Sequence, residues 1–183
     1  MKQRGYFAVG VFNPKKEVNV GSLWRSASIF GAAYIFTIGA RYHKQSSDTM
    51  KSYRHIPLYT YSDFDDFYEH MPYDCQLIGV ELSKDAIDLA TFRHPERAIY
   101  LLGAEDHGLP PSVLERCQHV LQLQGDYCLN VAIAGSIALY HRVGGFNGLA
   151  DRDSIPNSKM DVPQAEQVAT ESVSCGNHSH LLS

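Results

Sequence analysis

The sequence predicts an α/β protein: a mostly parallel β-sheet flanked by helices. Three observations carry this. Short β-rich apolar runs recur along the chain as YFAVGVFN, AAYIFTIGA, CQLIGVEL, AIYLLGAE and HVLQLQG. Segments with apolar residues at helical spacing lie between them, and such alternation builds parallel sheets. Two turns that follow strands, GAEDHG and GDYCLN, have the position where open α/β sheets bind ligands.

The elements follow in order. Tyr6–Asn13 reads as a first strand stopped by Asn-Pro. From Val20, the residues Leu23, Trp24, Ala27 and Phe30 recur at helical spacing, with Asn19 as the expected N-cap and Gly31 as the stop. The second strand, AAYIFTIGA, is followed by a connection over 41–57 that lacks periodicity, a length usual for functional or mobile loops. Ser62 is expected to cap a short helix carrying Phe64, Phe67 and Tyr68, with acids in its first turn. CQLIGVEL is the third strand, Ser83–Phe92 a loop or helical turn, and AIYLLGAE the fourth strand. Pro111 opens a helix to Cys117, HVLQLQG is the fifth strand, and Asn130–Val143 the closing helix.

With 183 residues, 44 % of them apolar and 20 % charged, the chain can bury one full core. Residues 1–149 are expected to form that domain. Residues 150–183, rich in Ser, Asn, Asp and Gln, are expected to be a disordered tail. No run approaches a membrane span, and the N-terminal apolar run reads as a strand rather than a signal peptide. The cysteines lack CxxC spacing, which fits reduced thiols in a cytosolic or organelle-matrix setting, with cytoplasmic the expectation and no membrane partner. The CGNHSH cluster sits in the tail without partners, so no metal site is expected.

The net charge of −4 conceals an asymmetry: residues 1–60 carry nine Lys/Arg against Glu17 and Asp48, and the remainder is strongly acidic. A basic first third is either a polyanion-binding face or a solvated surface. A GxGxxG after the first strand, GxxxxGK[ST], GxSxG and HExxH are all absent. This argues against the usual dinucleotide enzymes, P-loop NTPases, α/β-hydrolases and zincins.

Three clusters could carry chemistry. In NVGSLWRSASIFGA, Arg25 is the only charged residue between Asn19 and Gly39, and the small residues Ser22, Ser26 and Ser28 would leave room for a ligand. A guanidinium binds phosphate bidentately and stays charged. In LLGAEDHG, Gly103 ends a strand where a side chain would block a ligand, Glu105 can accept hydrogen bonds, and Gly108 allows a left-handed turn. A plain turn would look similar, and His107 alone is weak evidence for a base. In LQLQGDYCLNVAIAG, Asn130 starts a helix and Leu123 and Leu129 could clamp a flat ring. Cys128 is either a nucleophile activated at a helix N-terminus or a small packing residue.

Together and in this order, the clusters resemble the TrmH (SpoU) family of RNA methyltransferases in the SPOUT superfamily. Asn19, Gly21, Arg25 and Phe30-Gly31 match its first motif, Gly103, Glu105 and Gly108 its second, and Cys128-Leu129-Asn130-Val131 its third. The resemblance covers about residues 6–145. It implies a C-terminal trefoil knot, a rare exception among unknotted chains. It also implies S-adenosyl-L-methionine as methyl donor, a homodimer with a shared site, and transfer to a ribose 2′-hydroxyl of RNA. tRNA is favoured over rRNA.

Residue by residue, Val80, Gly103, Leu123, Leu129 and Asn130 match donor-binding positions, and Arg25, Asn19 and Glu105 catalytic ones. Arg41, Lys44 and Arg54, with Lys51, are the expected RNA contacts, giving affinity without sequence information. Two departures stand out: Cys128 replaces the usual Ser, and Gln124 stands near the place of the usual proline. The alternatives are a SPOUT-fold RNA-binding protein without turnover and, less favoured by the basic first third, a small-molecule or protein methyltransferase.

Overall fold

A computed structural model describes residues 5–39, 55–104, 106–125 and 127–144. The elements are β1 (Tyr6–Phe12), α1 (Glu17–Phe30), β2 (Ile35–Ile38), β3 (Leu58–Tyr61), α2 (Phe64–Glu69), β4 (Gln76–Val80), β5 (Ile87–Asp88), β6 (Arg97–Leu102), α3 (Pro111–Leu114), β7 (His119–Gln122) and α4 (Val131–Arg142). A 3₁₀ turn, Leu89–Thr91, follows β5. The seven strands form one sheet in the order β3-β2-β1-β6-β4-β7-β5, and every pairing is parallel.

The expected parallel α/β class therefore holds. Its cause lies in strands apolar on both faces. Phe7, Val9 and Val11 of β1 point into one core with Leu23 and Ala27 of α1 and Ala138 and Leu139 of α4. Ala8, with Phe36, Leu77, Ile99 and Leu101, points into the other, beneath Phe67 of α2 and Val113 beside it on α3. A sheet covered on both sides needs such continuous apolar strands.

Three local expectations need correction. Asn19 does not cap α1: the helix starts earlier, with extended Lys16 as its cap residue and Glu17 in the first turn. The acid suits the positive end of the helix dipole, and Asn19 lies buried inside the helix at 8 % exposure. Ser62 does not cap α2. Asp63 does, accepting from Asp66 N–H at 2.9 Å, while Asp66 reaches back to Ser62 N–H at 2.8 Å. A carboxylate accepts the orphan amides more strongly than a hydroxyl. Finally, β3 occupies residues between the expected 41–57 connection and the helix at Ser62, and β5 lies inside Ser83–Phe92, expected as a loop or helical turn. Gly31 does end α1, in a left-handed conformation.

Candidate active site

The C-terminal ends of β4, β6 and β7 face the start of α4 across a cleft of about 290 Å³. Its apolar wall includes Val80, Leu102, Leu123, Leu129 and Val131, and its rim includes Glu81, Asp106, His107, Tyr127 and Cys128. The sequence-predicted residues Val80, Gly103, Leu123 and Leu129 all meet here. They converge because β4 lies between β6 and β7, bringing separate strand ends side by side.

The loop after β6 is folded back on itself. Ala104 and Gly108 form an antiparallel bridge, with Gly108 N–H donating to Ala104 C=O at 3.0 Å. Gly108 has φ +62°, the left-handed turn expected of it. A Cβ on Gly103 would lie 2.4 Å from the Gly108 carbonyl carbon. Gly103 is thus required by the loop's own backbone, not only by an approaching ligand as the sequence suggested.

Glu81, which the sequence reading missed, braces this loop. Its carboxylate accepts from Leu109 N–H at 2.8 Å and from Leu82 N–H at 3.1 Å. A Cβ on Gly108 would come within 2.4 Å of the same carboxylate. The available signal was an acid directly after the buried apolar run of β4. On the outer side, Lys15 of the β1–α1 loop pairs with Asp106. That hydrogen bond holds the Asp106 carboxyl below the usual carboxylate range. Asp106 also lies 3.2 Å from the exposed His107.

The second turn is tied down at both ends. Gln124 donates to the Asp88 carboxylate. Asn130 caps α4, accepting from Ala132 N–H at 2.9 Å, and donates through Nδ2 to Asn19 Oδ1 at 3.1 Å. Asn130 therefore stands behind the cleft and locks it to α1.

Arg25 stands apart, exposed on α1 and absent from the cleft wall. Its neighbouring serines do not hold space for a ligand. Ser22 and Ser26 donate to the carbonyls of Val18 and Ser22, and Ser136 of α4 donates to Ser26 Oγ at 2.7 Å. Arg25 instead shares an exposed face with Val18 and Ile29, 54 % and 63 % exposed. Glu105 and the RNA-contact candidates Arg41, Lys44 and Arg54, with Lys51, lie outside the described residues, as does the 150–183 tail.

The comparisons agree with this arrangement. The model of the SpoU rRNA Methylase family matches residues 6–140. The chain is 25 % identical over 134 residues to tRNA (guanosine(18)-2′-O)-methyltransferase TARBP1 of Mus musculus, covering 68 % of this chain but only 8 % of that protein. The AdoMet-bound rRNA methyltransferase of Sinorhizobium meliloti superposes with TM-score 0.68 at 24 % identity, over 76 % of this chain and 56 % of that one. The A. aeolicus TrmH/SpoU tRNA modifying enzyme superposes with TM-score 0.69 at 20 % identity, over 85 % and 84 %. With three motifs in order, the strand ends that join them and a family match over most of the folded region, the chain belongs to the SpoU (TrmH) family of RNA methyltransferases.

Proposed function

We propose that the protein transfers a methyl group from S-adenosyl-L-methionine to a ribose 2′-hydroxyl of RNA, with tRNA favoured over rRNA. The observation that carries this reading is the convergence of Val80, Gly103, Leu123 and Leu129 on one cleft. The cleft's volume of about 290 Å³ and its apolar wall suit a nucleoside-sized ligand held mainly by burial. The preference for tRNA rests on TARBP1, whose 2′-O-methylation of tRNA guanosine 18 belongs to a far longer protein.

When bound, the donor supplies an electrophilic methyl on a sulfonium sulfur. The chain must then orient the acceptor and manage one proton. Leu123 and Leu129 would enclose the flat ring, and Glu81 would keep the loop at Gly103 closed against it. A guanidinium is a poor general base, so Arg25 is not assigned that task. Its role in this reading is to grip the adjacent phosphate and stabilise the developing alkoxide, while phosphate or water takes the proton. In-line placement of the hydroxyl supplies much of the remaining acceleration.

Because Arg25 lies off the cleft, the reading includes a homodimer in which Arg25 reaches a partner's cleft. Val18 and Ile29 on α1, with Ile133 and Tyr140 on α4, support it as an exposed apolar face around Arg25. It includes also a trefoil knot through the turns after β6 and β7, supported by the return of α4 to pack on α1.

The test is incubation of the protein and its Arg25→Ala variant with labelled donor and unmodified tRNA or rRNA, followed by nucleoside identification. Label in a 2′-O-methylated nucleoside, lost in the variant, is the expected result. Label on a base, or equal label with the variant, overturns the mechanism. Donor binding without transfer to any RNA points to a binding protein instead.

A further inference from the structure

The α2 side of the sheet holds a second concavity, of about 370 Å³, walled by Tyr6, Tyr34, Pro57, Tyr59, Tyr61 and His70. It lies on the β3 edge, whereas the cleft described above lies at the ends of β4, β6 and β7. In the register, Phe36 pairs with Tyr59 and Ile38 with Tyr61, so Tyr34, Tyr59 and Tyr61 share one sheet face. Tyr34 meets Tyr59 edge-on at 5.3 Å between ring centres and Tyr6 at 6.5 Å. Four tyrosines contributed by β1, the residue before β2, and β3 thus wall one depression, with His70 stacked beside Tyr61.

Two further observations say what it takes. Tyr34 is only 5 % exposed, and its hydroxyl is enclosed without a hydrogen-bond partner among the described residues. Such a group is costly to leave unpaired and signals a missing partner. The segment that supplies most of the wall, residues 55–80, carries five acids (Asp63, Asp65, Asp66, Glu69, Asp74) and no Lys or Arg. Among the described residues, Arg97 lies 5.1 Å from the ring of Tyr6, which shows that a ring of this wall accepts a guanidinium group, and Arg116 sits over Tyr68 on the neighbouring α2 at 3.9 Å.

We propose that this concavity is a binding site for the guanidinium or ammonium side chain of a basic segment on a partner protein. The tyrosine faces attract a cation through their quadrupoles, Asp66, 3.2 Å from His70 Nδ1, sets a carboxylate beside the wall, and the Tyr34 oxygen accepts an N–H. RNA is disfavoured there, because its phosphates would find an acid-rich segment with Asp66 beside the wall.

The test uses the full chain and a fluorescein-labelled peptide of alternating Arg and Gly, with the same peptide bearing Gln for each Arg as control. Fluorescence anisotropy should show saturable binding of the Arg peptide and about tenfold weaker binding of the Gln peptide. Tyr59→Ala, on a half-exposed edge strand, should weaken the Arg peptide about tenfold, and Tyr34→Phe, which keeps the ring, about threefold. Unchanged melting temperatures would establish that the fold is intact. Absence of saturable binding, or equal binding by Tyr59→Ala, overturns the proposal. So does a single-stranded uridine oligomer whose affinity falls with Tyr59→Ala while the peptide's does not, since the rings would then be stacking bases.

Discussion

Asn130 Nδ2 donates to Asn19 Oδ1 at 3.1 Å, joining the cap of the last helix to the first turn of the first. The same Asn130 side chain accepts from Ala132 N–H at 2.9 Å. One amide therefore does two tasks with its two ends, its oxygen accepting and its NH₂ donating. Asn130→Ala removes both bonds and is expected to cost about 2 kcal/mol. Asn130→Asp keeps the cap but loses the donor to Asn19, so its loss should be about half as large. Urea midpoints at constant m-value check this ordering, and equal losses would show that the Asn19 contact contributes nothing.

The glycines and Glu81 act as a stack in which each layer sets the next. Gly103→Ala would press a methyl against Gly108 backbone at 2.4 Å, a neighbour that cannot rotate away. The loop must move, and donor affinity should fall at least about tenfold. Glu81→Gln leaves one oxygen for the two amides of Leu82 and Leu109 and turns an NH₂ toward the other. The bonds to a charged acceptor are worth roughly 1.5–3 kcal/mol, so a weakening of about tenfold is expected here also. Calorimetric titration with S-adenosyl-L-methionine reads both, and unchanged affinity in Glu81→Gln would remove Glu81 from the site's architecture.

Arg25 should separate activity from stability. It is exposed on α1, so Arg25→Ala is expected to shift stability by no more than about 0.5 kcal/mol. Methyl transfer should nevertheless be lost, and Arg25→Lys should recover little of it, since an ammonium cannot reproduce the planar fork. Turnover at saturating donor, alongside melting temperature, makes the comparison. Near-full turnover in Arg25→Lys would end the bidentate reading.

The legibility of this molecule in its sequence followed burial. β1, β4 and β6 were visible as apolar runs because both their faces are covered. β3, with the sequence LYTY, is a half-exposed edge strand, and β5 has two residues, so neither presents a period to find. The cleft residues Val80, Gly103, Leu123 and Leu129 were legible because each sits at a strand end or turn in a recognisable motif. Asn19 was misread as a cap because Asn at a helix start usually caps. Its partner is Asn130, more than a hundred residues away, a relation no local pattern contains. The tyrosine concavity was invisible for the same reason, since Tyr6, Tyr34, Tyr59 and Tyr61 meet only through strand register.

A last prediction concerns acid. His94 Nε2 lies 2.8 Å from His141 Nδ1, and its Nδ1 bonds the Tyr100 hydroxyl, which also accepts from Arg142 at 3.1 Å. Burial, then the neighbouring His141 and the Arg142 guanidinium, push His94 down to about 3. Burial also lowers His141. In the unfolded chain His94 returns to its ordinary 6.5, so below that pH the unfolded state binds the proton that the folded state refuses. Stability from this cluster is therefore complete above pH ~6.5 and drains away as the pH falls toward ~3. The ceiling on that slope is about 1.4 kcal/mol per pH unit for one histidine, reduced by screening at its partly exposed ring. Urea unfolding at stepped pH between ~7.5 and ~4.5 should show His94→Gln with a shallower decline than the parent, carboxylate titration being common to both. Parallel declines would mean that His94 protonates as readily folded as unfolded, and that the contact joining the end of α4 to the segment before β6 opens at no cost.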